Sequence, residues 1–171
     1  MKVKNKNYSS IWDDDGVVKI IDQTKLPFDF EILELKTLSD FCNAIKMMKV
    51  RGAPLIGVTA AYALSTLIKK NSSDSHLKKI YMSLLATRPT AINLRWALDK
   101  VMSNIKKSNV KNKKEKAIEV ARRIRVDDII NCQKIAINGY KIIENIYKKR
   151  KKPINILTHC NAGWLATVDW G

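Results

Sequence analysis

Cysteine is scarce in this chain, and what there is does not pair. Cys42, Cys132 and Cys160 are odd in number and widely spaced, with no Cys-x-x-Cys among them. That pattern excludes a disulfide framework and a structural zinc site, and it fits a reducing compartment, with the cytoplasm as the default location. Only 2 histidines and 6 glycines occur in 171 residues, and they form neither a metal-ligand constellation nor a glycine-rich nucleotide loop. No apolar run approaches the roughly 18 residues that a membrane span requires. The N-terminus, MKVKNKNYSS, is basic but has no apolar stretch behind it, so it does not read as a secretory signal. No internal repeat is visible.

Acidic residues are also few: 16 against 32 basic ones, for a net charge of +16. Most of the excess falls between residues 100 and 152. A patch for nucleic acid or a membrane surface is one reading. Lysine far outnumbers arginine, however, and the basic runs are almost free of aromatics, whereas phosphate and base recognition favours arginine and stacking rings. The run therefore reads as solvated surface, and neither nucleic acid nor membrane is expected as a partner.

What is present is ordinary for a folded protein, at 46% hydrophobic and 28% charged. Residues 1–35 read as a small antiparallel sheet. Tyr8 to Trp12, Val17 to Ile21 and Phe28 to Leu35 are rich in β-branched and aromatic residues, with turns at Asp13–Gly16 and Lys25–Pro27. Residues 36–150 read as helices. Leu38, Phe41, Cys42, Ile45 and Met48 keep helical spacing behind a Thr37 or Ser39 cap. Pro54 suits the first turn of the next helix, whose Gly57, Ala60, Ala61 and Ala63 predict a central element that neighbours approach closely. Two further helices follow around Leu77–Leu85 and Leu94–Ile105. A basic loop over 106–114 leads into one long helix or two in tandem, up to Tyr147. After the basic, proline-ended linker, residues 153–171 read as the first strand (Ile154 to Thr158) and helix start of a truncated Rossmann-like domain. The fold class is thus α+β passing into α/β.

Two arginines stand before predicted helix starts, in Arg51-Gly-Ala-Pro54 and Thr87-Arg-Pro-Thr90. Helix N-termini offer unpaired N–H groups and partial positive charge, a guanidinium adds charge-assisted bonds, and Gly52 lets backbone amides approach an anion. Either arginine alone is also compatible with a structural role. Arg95 reads as structural. Cys160 follows the apolar run and precedes a predicted helix start, where a thiolate is favoured; an inert buried cysteine is the other reading. Cys42 and Cys132 fall on apolar helix faces. His159 alternates away from Cys160 along an extended segment, which makes a Cys–His dyad awkward.

Three segments carry a resemblance. Val50-Arg-Gly-Ala-Pro-Leu-Ile-Gly-Val58, Arg88-Pro-Thr-Ala-Ile-Asn-Leu94 and Ile156-Leu-Thr-His-Cys-Asn-Ala-Gly163 resemble, in order and separation, signature segments of the methylthioribose-1-phosphate isomerases, within the initiation-factor-2B-like sugar-phosphate isomerases. Leu165 to Gly171 also fits one version of that pattern. The match covers essentially the whole chain but about half of a typical member. It implies a helical N-terminal domain with a small sheet, joined to a Rossmann-like catalytic domain in a homodimer. It also implies the interconversion of 5-methylthioribose 1-phosphate and 5-methylthioribulose 1-phosphate in methionine salvage, with no metal or organic cofactor. Carried over, Arg51, Gly52, Ala53 and Arg88 would hold the substrate phosphate, and Cys160 would be the catalytic thiol near C1 and C2. The family's catalytic Asp, a substrate-binding Gln and an Asn-Lys pair fall beyond residue 171, so this chain alone is expected to be inactive. Neighbouring ribose-1,5-bisphosphate and 5-deoxyribose-1-phosphate isomerases, and the non-enzymatic regulatory subunits of a translation-initiation exchange factor, share the implied fold. The intact HCNAG segment and both arginine motifs favour an enzyme.

Overall fold

The computed structural model describes residues 1–109 and 112–171. The chain opens with two short strands, β1 (Lys2–Val3) and β2 (Lys6–Asn7), paired antiparallel. Lys4 and Asn5, both at positive φ, form the two-residue turn between them. A three-stranded antiparallel sheet follows, in the order β3 (Ile11–Asp14), β4 (Val17–Ile21) and β5 (Ile32–Leu35). Asp15 and Gly16, again both at positive φ, close the β3–β4 hairpin, as an Asp-Gly pair favours. The strand expected over Tyr8 to Trp12 is shifted along the chain. Asp13 and Asp14 pair with β4 instead of turning, because the Asp13 carboxylate accepts the Gly16 N–H at 2.9 Å and is clasped by Arg122.

Among the described residues five α-helices follow, α1 (Leu38–Lys46), α2 (Ala53–Leu67), α3 (Asp74–Leu85), α4 (Ile92–Lys106) and α5 (Lys113–Arg150), and α2 lies against β3 and β4. Helix α1 starts at a capping box in which Thr37 and Asp40 satisfy each other's backbone N–H groups. Helix α2 is buried on nearly every side, as its apolar and small residues predict, and it forms the axis of the bundle. Gly57 is required there: a Cβ would come within 2.9 Å of the Asn93 carbonyl oxygen, so the first turns of α2 and α4 lie against each other. Sheet and helices share one core, which includes Ile11, Ile20, Phe41, Leu64, Leu84 and Leu98. Of the two arrangements foreseen for the stretch after 112, the structure has one continuous helix of 38 residues, about 57 Å long at 1.5 Å per residue. Its first part buries Ala117, Val120, Ala121 and Ile124 at helical spacing, and Arg125 reaches β3 through the Ile11 carbonyl at 3.2 Å. The helix ends at Lys151 in the left-handed region, followed by Pro153. The basic loop expected over 106–114 includes Val110 and Lys111, which lie outside the described residues.

Two expectations for the final segment are not met. Ile154 to Thr158 forms no strand, and Ile156 and Leu157 are exposed at 70% and 98%. A buried strand needs neighbours to take its hydrogen bonds and cover its faces, and none of the described strands lies beside it. Beyond Cys160 there is no helix start, only a 3-10 turn over Trp164–Ala166. That turn and its successors fold back on the N-terminal region. Val168 is fully buried, its carbonyl accepts from Ser10 N–H at 2.9 Å, and its own N–H donates to Asp128 on α5 at 2.8 Å. Among the described residues no helix is long and apolar enough to cross a membrane.

Candidate active site

The Arg51-Gly52 step is built by the short connection between α1 and α2. Gly52 is the residue before the first turn of α2, at φ 90 and ψ 138, and its carbonyl accepts the Ile56 N–H at 3.0 Å. No side chain caps this helix start, and Pro54 in its first turn needs no N–H partner. Gly52 has a second reason to lack a side chain. A Cβ there would stand 2.5 Å from Ala166 Cα, so the Trp164–Ala166 turn lies directly on it.

Residues far apart in the chain meet beside that contact. An open cavity of about 270 Å³ is lined by Arg51, by Gln23, by Cys160, Asn161 and Ala162, and by Leu165 and Ala166. The Arg51 guanidinium donates to the Gln23 carbonyl at 3.1 Å, which fixes it at the cavity wall. Gln23 is itself buried, and its side-chain amide donates to the Leu165 carbonyl at 2.7 Å. The preceding Asp22 pairs with Lys49 at 3.3 Å and accepts from Thr24. Burial acts to raise its carboxyl pKa, but the Thr24 hydrogen bonds and Lys49 outweigh it, and the net effect is downward.

Of the three cysteines only Cys160 is exposed; Cys42 and Cys132 are half-buried, as their apolar helix positions suggested. Burial pushes the Cys42 thiol up. It does the same to Cys132, where Asp128 and Asp169 add to it and Thr167 opposes. In both the thiolate form is disfavoured.

The structure thus brings Arg51 and Cys160 to one cavity, with Gly52 packed under its wall and Ala53 opening α2 behind it. Arg88 is not among the lining residues. It stands half-buried in a turn, its carbonyl accepting from Ala91 N–H at 3.0 Å, and α4 begins only at Ile92. The expectation that Arg88 immediately precedes a helix start is therefore corrected: Pro89 and Thr90 extend the turn first. Because Gly57 and Asn93 touch, Arg88 still belongs to the end of the bundle where α2 begins. Reading by sequence missed Gln23, Asn161, Ala162, Leu165 and Ala166. The only local signal for Gln23 was a polar Asp-Gln-Thr step directly after an apolar strand.

Residues 49–168 match the family model described as "Initiation factor 2 subunit family". The chain belongs to the initiation factor 2 subunit family. Within this family it resembles the methylthioribose-1-phosphate isomerase of Escherichia coli O45:K1, at 46% identity over 175 residues, covering 100% of this chain and 47% of that protein. The methylthioribose-1-phosphate isomerase of Rhizobium meliloti is 47% identical over 175 residues, with 100% and 48% covered. Two crystal structures are similar. One, described as translation initiation factor eIF-2B subunit delta from A. fulgidus, has a TM-score of 0.79 and 32% identity over 96% of this chain and 48% of that one. The other, 5-methylthioribose 1-phosphate isomerase from Pyrococcus horikoshii OT3, has a TM-score of 0.77 and 30% identity over 96% and 46%. The chain spans about half the length of the curated relatives it matches. The small sheet and helical bundle read from the sequence are the fold observed for this family member.

Proposed function

We propose that this chain is part of an aldose–ketose isomerase that converts 5-methylthioribose 1-phosphate to 5-methylthioribulose 1-phosphate in methionine salvage. The observation that carries the reading is the single cavity shared by an anchored guanidinium and an exposed thiol. The names and similarity of the relatives add to it. In this proposal Arg51, with the uncapped backbone at Gly52 and Ala53, grips the phosphate, and Arg88 contributes from the turn before α4. Residues 153–171 are proposed as the start of an α/β catalytic domain that joins the 36–150 helical domain and the 1–35 sheet. The complete protein is proposed to be a cytoplasmic homodimer that needs no cofactor.

The chemistry sets what each group must do. The anomeric carbon carries the phosphate, so the sugar ring opens first, and a hydrogen then moves from C2 to C1. Ring opening calls for a general acid at the ring oxygen, and neither Asp nor Glu lines this cavity. In this proposal the acid is the Asp that the family resemblance implies. Cys160 serves at C2, as base or as a neighbour that stabilises a hydride shift. Phosphate clamping fixes the orientation of C1 and C2 to the thiol and lowers the barrier by several kcal/mol.

The test uses a polypeptide in which this chain is joined to its catalytic domain. Cys160→Ala is expected to nearly abolish turnover, while Arg88→Ala raises KM more than it lowers kcat. Full activity of the Cys160→Ala protein contradicts the assigned role. A deuterium label at C2 separates the two chemistries: label retained at C1 marks a hydride shift, and label lost to solvent marks a base.

A further inference from the structure

We infer that Gln23 is a positioning residue of this site, coupling the arginine side of the cavity to the thiol side. The inference deepens the proposed isomerase site and rests on that reading for what the cavity binds. Two loops form the cavity walls. The Lys49–Gly52 loop carries the guanidinium, and the segment from Cys160 to Ala166 carries the thiol. Gln23 hydrogen-bonds to both. Its N–H donates to the Lys49 carbonyl at 3.0 Å, and its carbonyl accepts from Arg51 at 3.1 Å. Its side-chain Nε2 donates to Leu165 at 2.7 Å. The residue is 2% exposed, so these bonds form away from competing water.

The division of labour follows from the atoms. The backbone of Gln23 fixes the Lys49–Arg51 side, whatever side chain it bears. Its side chain, not its backbone, holds Leu165, five residues past Cys160. Among Gln, Met, Glu and Asn, Gln is the one that delivers a donor at this reach. Met has the length without the donor, Glu sets an acceptor against an acceptor, and Asn falls one methylene short. Ser10 and Asp128 still hold the neighbouring Trp164 and Val168, so replacing the side chain should loosen the turn around Leu165 locally and leave the arginine side in place.

Hydrogen–deuterium exchange on the 171-residue chain tests this, with inorganic phosphate as the probe. In Gln23→Met the Ala166 and Thr167 amides, which close the turn onto Gly163 and Trp164, are expected to exchange at least tenfold faster. The Ile56 amide in α2 should be unchanged. Phosphate should slow the Ala166 and Thr167 amides in the wild type but not in Gln23→Met, although the variant still binds phosphate by calorimetry. A side chain that merely filled space would be replaced by Met without change, so wild-type exchange at Ala166 and Thr167 in that variant overturns the inference. Should Gln23→Met lose its cooperative melt, Gln23→Asn, which keeps a buried amide, supplies the same comparison. If phosphate neither binds the wild type nor slows its exchange, the phosphate reading fails. Exchange without ligand then decides the role of Gln23 by itself.

Discussion

The amide of Val168 donates to the carboxylate of Asp128 at 2.8 Å, tying the end of the chain to the middle of the long helix. The Asp128 carboxyl is pushed up by burial, with the Val168 N–H opposing. A carboxyl whose pKa is higher in the folded state binds its proton more tightly there. Its contribution to stability is full below the unfolded carboxyl value and is lost as pH rises through the folded value. Asp128→Asn keeps an acceptor for Val168 and removes the buried charge. It is expected to be neutral or stabilising at pH 7 and to flatten the decline in stability above the usual carboxylate range. Asp128→Ala leaves the Val168 N–H unpaired, at a cost of about 1–3 kcal/mol. Urea midpoints measured from pH 3 to pH 8 check both.

Gly52 and Gly139 should respond in opposite directions to the same substitution. Gly52→Ala meets both a positive φ and the backbone of Ala166, and should destabilise by at least about 1–3 kcal/mol. Gly139 lies inside α5 with nothing within 4 Å of an added Cβ. Gly139→Ala should stabilise by about 0.5–1 kcal/mol through helix propensity. Thermal melts of the two variants provide the check.

The three thiols should separate by reactivity. Cys160 is exposed, while burial disfavours the thiolates of Cys42 and Cys132. Limited iodoacetamide treatment at pH 7.5 with peptide mapping should label Cys160 at least tenfold faster than either of the others. Equal labelling of Cys132 would contradict the burial ascribed to it.

The helices were legible because their apolar spacing is local. Leu94, Ala97, Leu98, Val101 and Ile105 line the buried face of α4 as their periodicity requires. The Gly57 and alanine pattern of α2 also carried its central position. The β1–β2 hairpin went unread because strands as short as Lys2–Val3 and Lys6–Asn7 have no alternation to detect. Ile154 to Thr158 looked like a buried strand because its composition fits one, but composition supplies no neighbouring strand. In the candidate site, the local setting of Arg51 and Cys160 left structural readings open, and the family resemblance was what joined them. Gln23 was missed, since its partners Arg51 and Leu165 stand 28 and 142 residues away and only the folded chain brings them near.

The proposed site requires Arg51 and Cys160 to face one small anionic ligand. The most direct measurement is the rate of Cys160 alkylation with and without 5-methylthioribose 1-phosphate, in wild type and Arg51→Ala. The ligand is expected to slow alkylation of the wild-type thiol at least fivefold, to leave Cys42 unaffected, and to lose this protection in Arg51→Ala. Unchanged alkylation of the wild-type thiol at saturating ligand, or equal protection in Arg51→Ala, would contradict the shared site.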